Sequence, residues 1–378
     1  MLPCRSNPAR RLAAGLLYAY KLLYFPDMLA YPPGVLYNDA MKKILFIGTG
    51  GTVASSSTTD GLAPSIQAEE LLRDLQGPAK ACEITPMQVL NLDSTDMTPA
   101  DWLLIARTIE VHYDAYDGFV IAHGTDTMAY TAAALSYLIR RSPKPVVLTG
   151  AQKPIHSDNT DSRVNLQDAF AYACAPGSCG VVIVFNGAVI LGTRARKVRS
   201  KSFSSFSSIN FPELASVREG RVLRFIDLGY KEPPVFCHKL EERVSLVKLI
   251  PGMDADLLAY ALEHNRALVV ESFGVGGVPG RHSRFYEVIA AAVEAGKTVV
   301  MTTQVPNEGS DLTVYRVGHE LKKHLPILEA YDMTTEAVVA KLMWILGQTR
   351  EHGRITELFY KPVSKDILYT EEIYGPQA

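Results

Sequence analysis

Hydrophobic residues fall into two alternating patterns along this chain. Short apolar runs of strand length, "KILFIG" (43–48), "GFVIAHG" (118–124), "KPVVLTG" (144–150) and "GVVIVFNG" (180–187), recur through the first half. Between them lie longer segments with helical periodicity: "SIQAEELLRDL" (65–75), "TPADWLLIARTIEVHY" (98–113) and "DTMAYTAAALSYLIRR" (126–141). The run "ITPMQVLNLDS" (84–94) separates the first two helical segments. Thr98 reads as a helix cap, Pro99 as the first helical residue and Asp101 as a first-turn acid. Further strand-length runs follow at "SLVKLI" (245–250), "ALVVESFG" (267–274) and "KTVVMTT" (297–303). Runs that are apolar on both faces belong in a parallel sheet covered by helices. The pattern therefore predicts an α/β fold, with a doubly wound, mostly parallel sheet in a larger N-terminal domain and a smaller α/β C-terminal domain.

Two stretches break the alternation. "LGYKEPPVFCHKLEER" (228–243) has paired prolines and mixed charges without a period, which predicts a linker. It divides a larger N-terminal domain at 41–227, the one expected to carry the chemistry, from a smaller C-terminal domain at 244–378. Residues 1–40 have a basic start and an apolar stretch, but Lys21 interrupts it and no A-x-A cleavage site follows. The stretch is also too short and broken for a membrane span. Met41 opens "MKKILFIGTGG", a natural beginning for a chain that starts with its first strand. We expect residues 1–40 to be a dispensable N-terminal extension.

Composition narrows the partner. The 378 residues are 47% hydrophobic and 21% charged, with a formal net charge of −2. No basic block or aromatic-interleaved basic stripe occurs, so neither a nucleic acid nor a membrane is expected to bind, and a small molecule is. Five scattered cysteines, an odd number in a long chain, argue against a disulfide framework and for a reducing compartment. Cys174 and Cys179 could bridge or bind metal, but no second cysteine pair or suitably spaced histidine accompanies them. The expectation is a protein with no metal and no cofactor.

Open α/β sheets bind ligands beyond the carboxyl ends of their strands. That rule selects "GTGGT" (48–52), "LDSTD" (92–96), "HGTDT" (123–127) and "TGAQKP" (149–154). Ser, Thr and Asp crowd three of these loops. Any one of them could simply cap a helix or form a turn, but three together favour a site. The glycines do not fit a phosphate cradle. Counting from Gly48, the dinucleotide spacing meets Gly50 and then Val53 where a third glycine belongs. The only "GKT", Gly296–Lys297–Thr298, has Ala291 in place of the first Walker glycine and joins a helix to a strand.

A threonine hydroxyl offers different chemistry. It becomes a nucleophile once its proton is removed and its oxyanion stabilised. Gly50 and Gly51 would let the backbone approach a substrate and aim Thr52. Thr125 and Asp126 stand at a helix start, where outward N–H groups favour negative charge. A lysine whose pKa is lowered by burial could serve as base.

"IGTGGTVAS" together with "HGTDTMAYTAAALSYL" resembles the two signature motifs of the bacterial-type L-asparaginases, and "NLDSTDMTPADW" and "PVVLTGAQKP" resemble that family's substrate loops in order. The resemblance runs from about Lys42 to beyond Leu346 and is nearer to the cytoplasmic, type I branch. It implies hydrolysis of L-asparagine to L-aspartate and ammonia by a homodimer or homotetramer. Residue by residue, it implies that Thr52 is the nucleophile. Thr125 would activate the nucleophile or water, and Asp126 would bind the substrate's α-amino group. It assigns the α-carboxylate to Ser94 and Thr95 and places the Ala151 main chain against the amide. Aligned on "FSSIN", Lys197 takes the catalytic lysine's place, with Lys201 as the fallback. Arg194, Arg196 and Arg199 are expected to form a solvated basic loop around it.

Two positions depart from the family pattern. Leu62 stands where a lid tyrosine is common, and Thr58 or Thr59 could substitute for it. Gly277 stands where an asparagine often reaches the partner protomer. Related expectations of the same motifs are a glutaminase-asparaginase or the ammonia-supplying component of a tRNA-dependent amidotransferase. A different class, a catalytically silent amino-acid-binding protein, would keep the fold without turnover.

Overall fold

The computed structural model describes residues 41–58, 61–64, 66–73, 75, 82–280 and 284–369. The extension expected at 1–40 lies outside the described residues, as does Thr59. The first half runs β1 (Lys42–Gly50), β2 (Ser55–Thr58), β3 (Gly61–Pro64), α1 (Ala68–Arg73), β4 (Cys82–Leu92), α2 (Pro99–His112), β5 (Gly118–Ala122) and α3 (Met128–Leu138). It continues through β6 (Ile139–Arg140), β7 (Pro145–Thr149), α4 (Ser162–Cys174), β8 (Gly180–Phe185), β9 (Ala188–Leu191), β10 (Ala195–Lys197), β11 (Phe206–Ser208), β12 (Ala215–Arg218) and β13 (Arg221–Arg224). The second half comprises β14 (Val235–Phe236), β15 (Val244–Lys248), α5 (Asp256–His264), β16 (Ala267–Ser272), α6 (Phe285–Glu294), β17 (Thr298–Thr303), α7 (Arg316–His324), β18 (Leu328–Glu329), α8 (Thr335–Leu346) and α9 (His352–Tyr360).

The larger sheet has the order β13-β12-β9-β8-β7-β5-β1-β4. β4, β1, β5, β7 and β8 pair in parallel. The other edge turns antiparallel at β9, β12 and β13. Two-residue hairpins cause the change. Asn186 and Gly187 connect β8 to β9, and Glu219 and Gly220 connect β12 to β13, all four with positive φ. Such turns match the twist of antiparallel strands. The smaller sheet, β15-β16-β17-β18, is parallel throughout.

Alternation along β1 shows why the apolar runs needed both faces. Leu45 and Ile47 enter a core shared with α2, α3 and α8. Ile44 and Phe46 point into a second core with Leu166 and Phe170 of α4. The first core also takes in Val269, Val300 and Leu328 of the smaller sheet. Every residue of α8 is buried, and Trp344 stacks on Tyr137 of α3. β4 is half-exposed because only β1 flanks it.

The capping signals at 98–101 correspond to real contacts. The Asp101 carboxylate accepts from the Thr98 N–H at 2.8 Å and from the Thr98 hydroxyl at 2.6 Å. α3 stops earlier than its pattern suggests. Ile139 and Arg140 leave the helix to pair with Val235 and Phe236, and Arg141 has φ 56°. The segment 228–243 is thereby pinned to the larger sheet's helices, and Cys237 N–H donates to Leu138 O at 2.9 Å.

Candidate active site

The four loops selected from the sequence follow β7, β5, β1 and β4, which are consecutive neighbours in the sheet. Close packing between backbones brings them together. Gly50 and Gly51 have φ of 101° and 78°, a region that a side chain disfavours. The chain turns there, and Thr52 opens a short 3-10 turn closed by Ala54 N–H on Gly51 O at 3.0 Å. Gly51 N–H donates to Leu92 O at 2.9 Å, tying this turn to the end of β4.

Gly124 is the meeting point. A Cβ built there would lie 2.5 Å from Ser94 Oγ and 3.2 Å from Gly51 Cα, so three loops touch at one glycine. Thr127 Oγ1 reinforces the contact by donating to Ser94 O at 2.7 Å. Thr125 is buried, Thr52 is half-buried and Asp126 is exposed beside them. The fourth loop joins through Gly150, where a Cβ would lie 2.8 Å from Met128 Cε and against His123 O.

Lys197 comes from the β10–β11 hairpin, in register with Phe206. Its Nζ donates to Thr125 Oγ1 at 2.7 Å and to Asp126 Oδ1 at 2.6 Å. Lys201 is exposed on the loop beyond. The structure thus gathers Thr52, Ser94, Thr125, Asp126, Ala151 and Lys197 around the strand ends. Thr95 is there too, but its N–H and hydroxyl both donate to Asp93 Oδ1 at 2.9 Å, within its own turn. Leu62 pairs with Ser57 in the β2–β3 hairpin. Gly277 closes a tight turn, donating its N–H to Phe273 O at 2.7 Å.

One expectation is overturned. Arg194 is fully buried, not part of a solvated loop. Its guanidinium pairs with Asp332 Oδ2 at 2.9 Å, and it donates to Asp332 O at 2.8 Å and Lys365 O at 2.6 Å. Burial of a charge demands such partners, and a run of basic residues does not reveal them. Arg196 is half-buried, 3.9 Å from Glu336, whereas Arg199 is exposed as expected.

Several supporting residues went unnoticed in the sequence. Asp161 Oδ1 accepts from Gln152 N–H and Lys153 N–H, both at 3.1 Å, and Asn165 Nδ2 donates to Gly150 O at 2.9 Å. Together they fold the loop around Ala151. His123 is fully buried behind Thr125. Trp102 Nε1 donates to Thr131 Oγ1 at 3.0 Å, and Thr131 Oγ1 stands 2.9 Å from His123 Nε2. Gly124 O can only accept, so His123 Nδ1 carries the proton that meets it at 2.7 Å, and Nε2 of the neutral ring accepts from the Thr131 hydroxyl. Burial holds the imidazole's pKa down at about 4, with the Gly124 carbonyl opposing. The one available signal was its place inside "HGTDT".

The chain matches two family profiles, "Asparaginase, N-terminal" over residues 43–227 and "Glutaminase/Asparaginase C-terminal domain" over residues 243–359. It is 39% identical over 329 residues to an L-asparaginase of Thermococcus kodakarensis, covering 86% of this chain and 99% of that one. It is 36% identical to a component of the glutamyl-tRNA(Gln) amidotransferase of Pyrococcus furiosus, covering 82% of this chain and 73% of that one. Among solved structures, the thermostable L-asparaginase from Thermococcus kodakarensis superposes with a TM-score of 0.81 at 38% identity, covering 87% of this chain and all of that one.

Proposed function

The chain belongs to the bacterial-type L-asparaginase family, and from that premise we propose how its own residues act. It is an amidohydrolase that converts L-asparagine to L-aspartate and ammonia. Thr52 Oγ1 attacks the side-chain amide carbon, the tetrahedral oxyanion is met by backbone N–H groups of the converging loops, and ammonia leaves. Water then hydrolyses the acyl group, assisted by Thr125 and Lys197.

The observation that carries this reading is the double contact of Lys197 Nζ with Thr125 Oγ1 and Asp126 Oδ1. It links the candidate base, the hydroxyl it serves and the carboxylate that recognises an ammonium. A substrate α-ammonium at Asp126 competes with Lys197 for the same carboxylate. Binding therefore loosens the ion pair and leaves Lys197 Nζ directed at the Thr125 hydroxyl. Ser94, at the contact with Gly124, and the Thr95 turn lie where the substrate's α-carboxylate would be received. The buried Ala151 main chain faces the cleaved amide.

Ammonia release from L-asparagine, D-asparagine and L-glutamine tests the proposal, with Thr52→Ala as comparison. We expect turnover on L-asparagine and a loss of about 10³-fold or more in the variant. Undiminished activity in Thr52→Ala rules out Thr52, and binding of aspartate without hydrolysis by the unaltered chain marks a silent binding protein. The amidotransferase reading is less supported, because the chain spans 73% of that relative but 99% of the asparaginase. The scattered, odd cysteine set supports a cytoplasmic setting. We further propose a homodimer or homotetramer, to be checked by sedimentation.

A further inference from the structure

β4 and α4 each contribute to the candidate active site at one end and to a separate cleft at the other. Residues 93–96 follow the last residue of β4, and Asp161 and Asn165 stand at the start of α4. The opposite termini of these elements are Cys82 and Cys174, and both line a cleft of about 820 Å³. Phe170, Asp168, Arg221 and Val222 form other parts of its wall.

Cys82 is 2% exposed, whereas Cys174 is half-buried. Their thiols are hydrogen-bonded to each other. Lys42 is in strand register with Cys82, and its Nζ donates to Ala175 O at 3.3 Å, next to Cys174. The ammonium is close enough to both thiols for its charge to favour their thiolates. The described cysteines form no disulfide. The contact joins residues far apart in the chain.

We propose that Cys82 and Cys174 form a peroxide-oxidisable dithiol, which hydrogen peroxide entering the cleft converts to a disulfide. The Cys82 thiolate attacks one peroxide oxygen; the O–O bond breaks, and hydroxide leaves and takes up a proton as water. Cys82 is then a sulfenic acid. The Cys174 sulfur attacks the Cys82 sulfur, the S–O bond breaks, and the hydroxyl leaves with the Cys174 proton as a second water. Two thiols thus supply the two electrons that reduce one peroxide. The hydrogen bond from Cys174 holds the Cys82 thiol below the usual range, helped by Lys42 and opposed by burial, while Cys174 is pushed up. Both sulfurs line the cleft, and the register of Lys42 with Cys82 together with that division makes Cys82 the attacking sulfur and leaves Cys174 to close the bond. Burial pushes the Cys179 thiol up and makes it an internal control.

The test uses the full chain carrying Cys4→Ser, treated with hydrogen peroxide, alkylated and mapped by mass spectrometry. The expected result is a peptide linking Cys82 to Cys174, loss of alkylation at both, retained alkylation at Cys179 and Cys237, and full recovery with dithiothreitol. In Cys174→Ser the sulfenic acid at Cys82 is expected to be captured by dimedone. Retention of both thiols at a dose that oxidises free cysteine overturns the proposal, as does a bridge from Cys174 to Cys179. The readout is independent of turnover, so failure of the asparaginase mechanism leaves it intact.

Discussion

Gly51 and Gly124 touch backbone to backbone: a Cβ on Gly51 would fall inside the van der Waals envelope of Gly124 Cα and N. The candidate nucleophile and the candidate Thr125–Asp126 pair follow these two glycines directly. Gly51→Ala must either separate the loops or strain a residue already at φ 78°. We expect a cost of about 1–3 kcal/mol in stability. Displacing one loop by about an ångström should lower turnover roughly 100-fold. Unchanged kcat in a folded Gly51→Ala chain, judged by circular dichroism, would show that the contact does not set the site's geometry.

Lys197→Met tests the double contact with Thr125 and Asp126. If proton transfer through Thr125 limits the reaction, kcat should fall about 10²- to 10⁴-fold. Asp126 loses a competing ammonium in this variant, so KM for L-asparagine should stay level or fall. A variant with near wild-type kcat removes Lys197 from the chemistry, and a KM rise without a kcat change assigns it to binding alone.

His123 makes stability depend on pH in a predictable direction. Its folded-state pKa, about 4, lies below the unfolded value near 6.5. The unfolded chain therefore binds the extra proton first, and stability is lost as pH falls from about 6.5 towards 4. Between pH 7 and pH 5 this one residue should cost about 2 kcal/mol. Urea titrations at the two pH values should show that difference in the unaltered chain and lack it in His123→Asn. Equal pH dependence in both would mean that His123 is not held neutral by the fold.

Arg194 and Asp332 are both completely excluded from solvent. Arg194→Met leaves a buried carboxylate without its cation, a change expected to cost about 3–5 kcal/mol. The midpoint of chemical unfolding should shift accordingly. A shift within about 0.5 kcal/mol of zero is the size seen for a surface substitution and would place the pair in water.

What the sequence disclosed follows from which interactions are local. Thr98, Pro99 and Asp101 lie within one helical turn, so their cap could be read directly. The strands β1, β5, β7 and β8 were legible because burial on both faces leaves no polar alternation to misread. The four loops were legible because strand ends bind ligands whatever the loop sequence. The Asn186–Gly187 hairpin carried a local signal that outweighs the apolar run preceding it, yet its consequence, an antiparallel edge, depends on strand order. Arg194 was misread for a different reason: Asp332 and Lys365 are its partners, and nothing near "TRARKVR" indicates them. The same holds for Cys82, whose relation to Cys174 exists only once α4 packs on the sheet. His123 was visible as a letter in a motif, but its burial and its contact with Thr131 depend on how α3 packs.

The segment Ser364–Tyr369 binds back onto the larger sheet's hairpin region. Thr193 Oγ1 donates to Ser364 O, Arg194 to Lys365 O, and Leu368 and Tyr369 N–H to the Asp332 carboxylate. Arg194 stands three residues before Lys197. A chain emerging from the ribosome therefore has its nucleophile turn, its threonine loop and its lysine long before the segment that holds Thr193 and Arg194 exists. Residues 364–369 thus brace, from the far end of the chain, the residue that leads into the strand of the lysine.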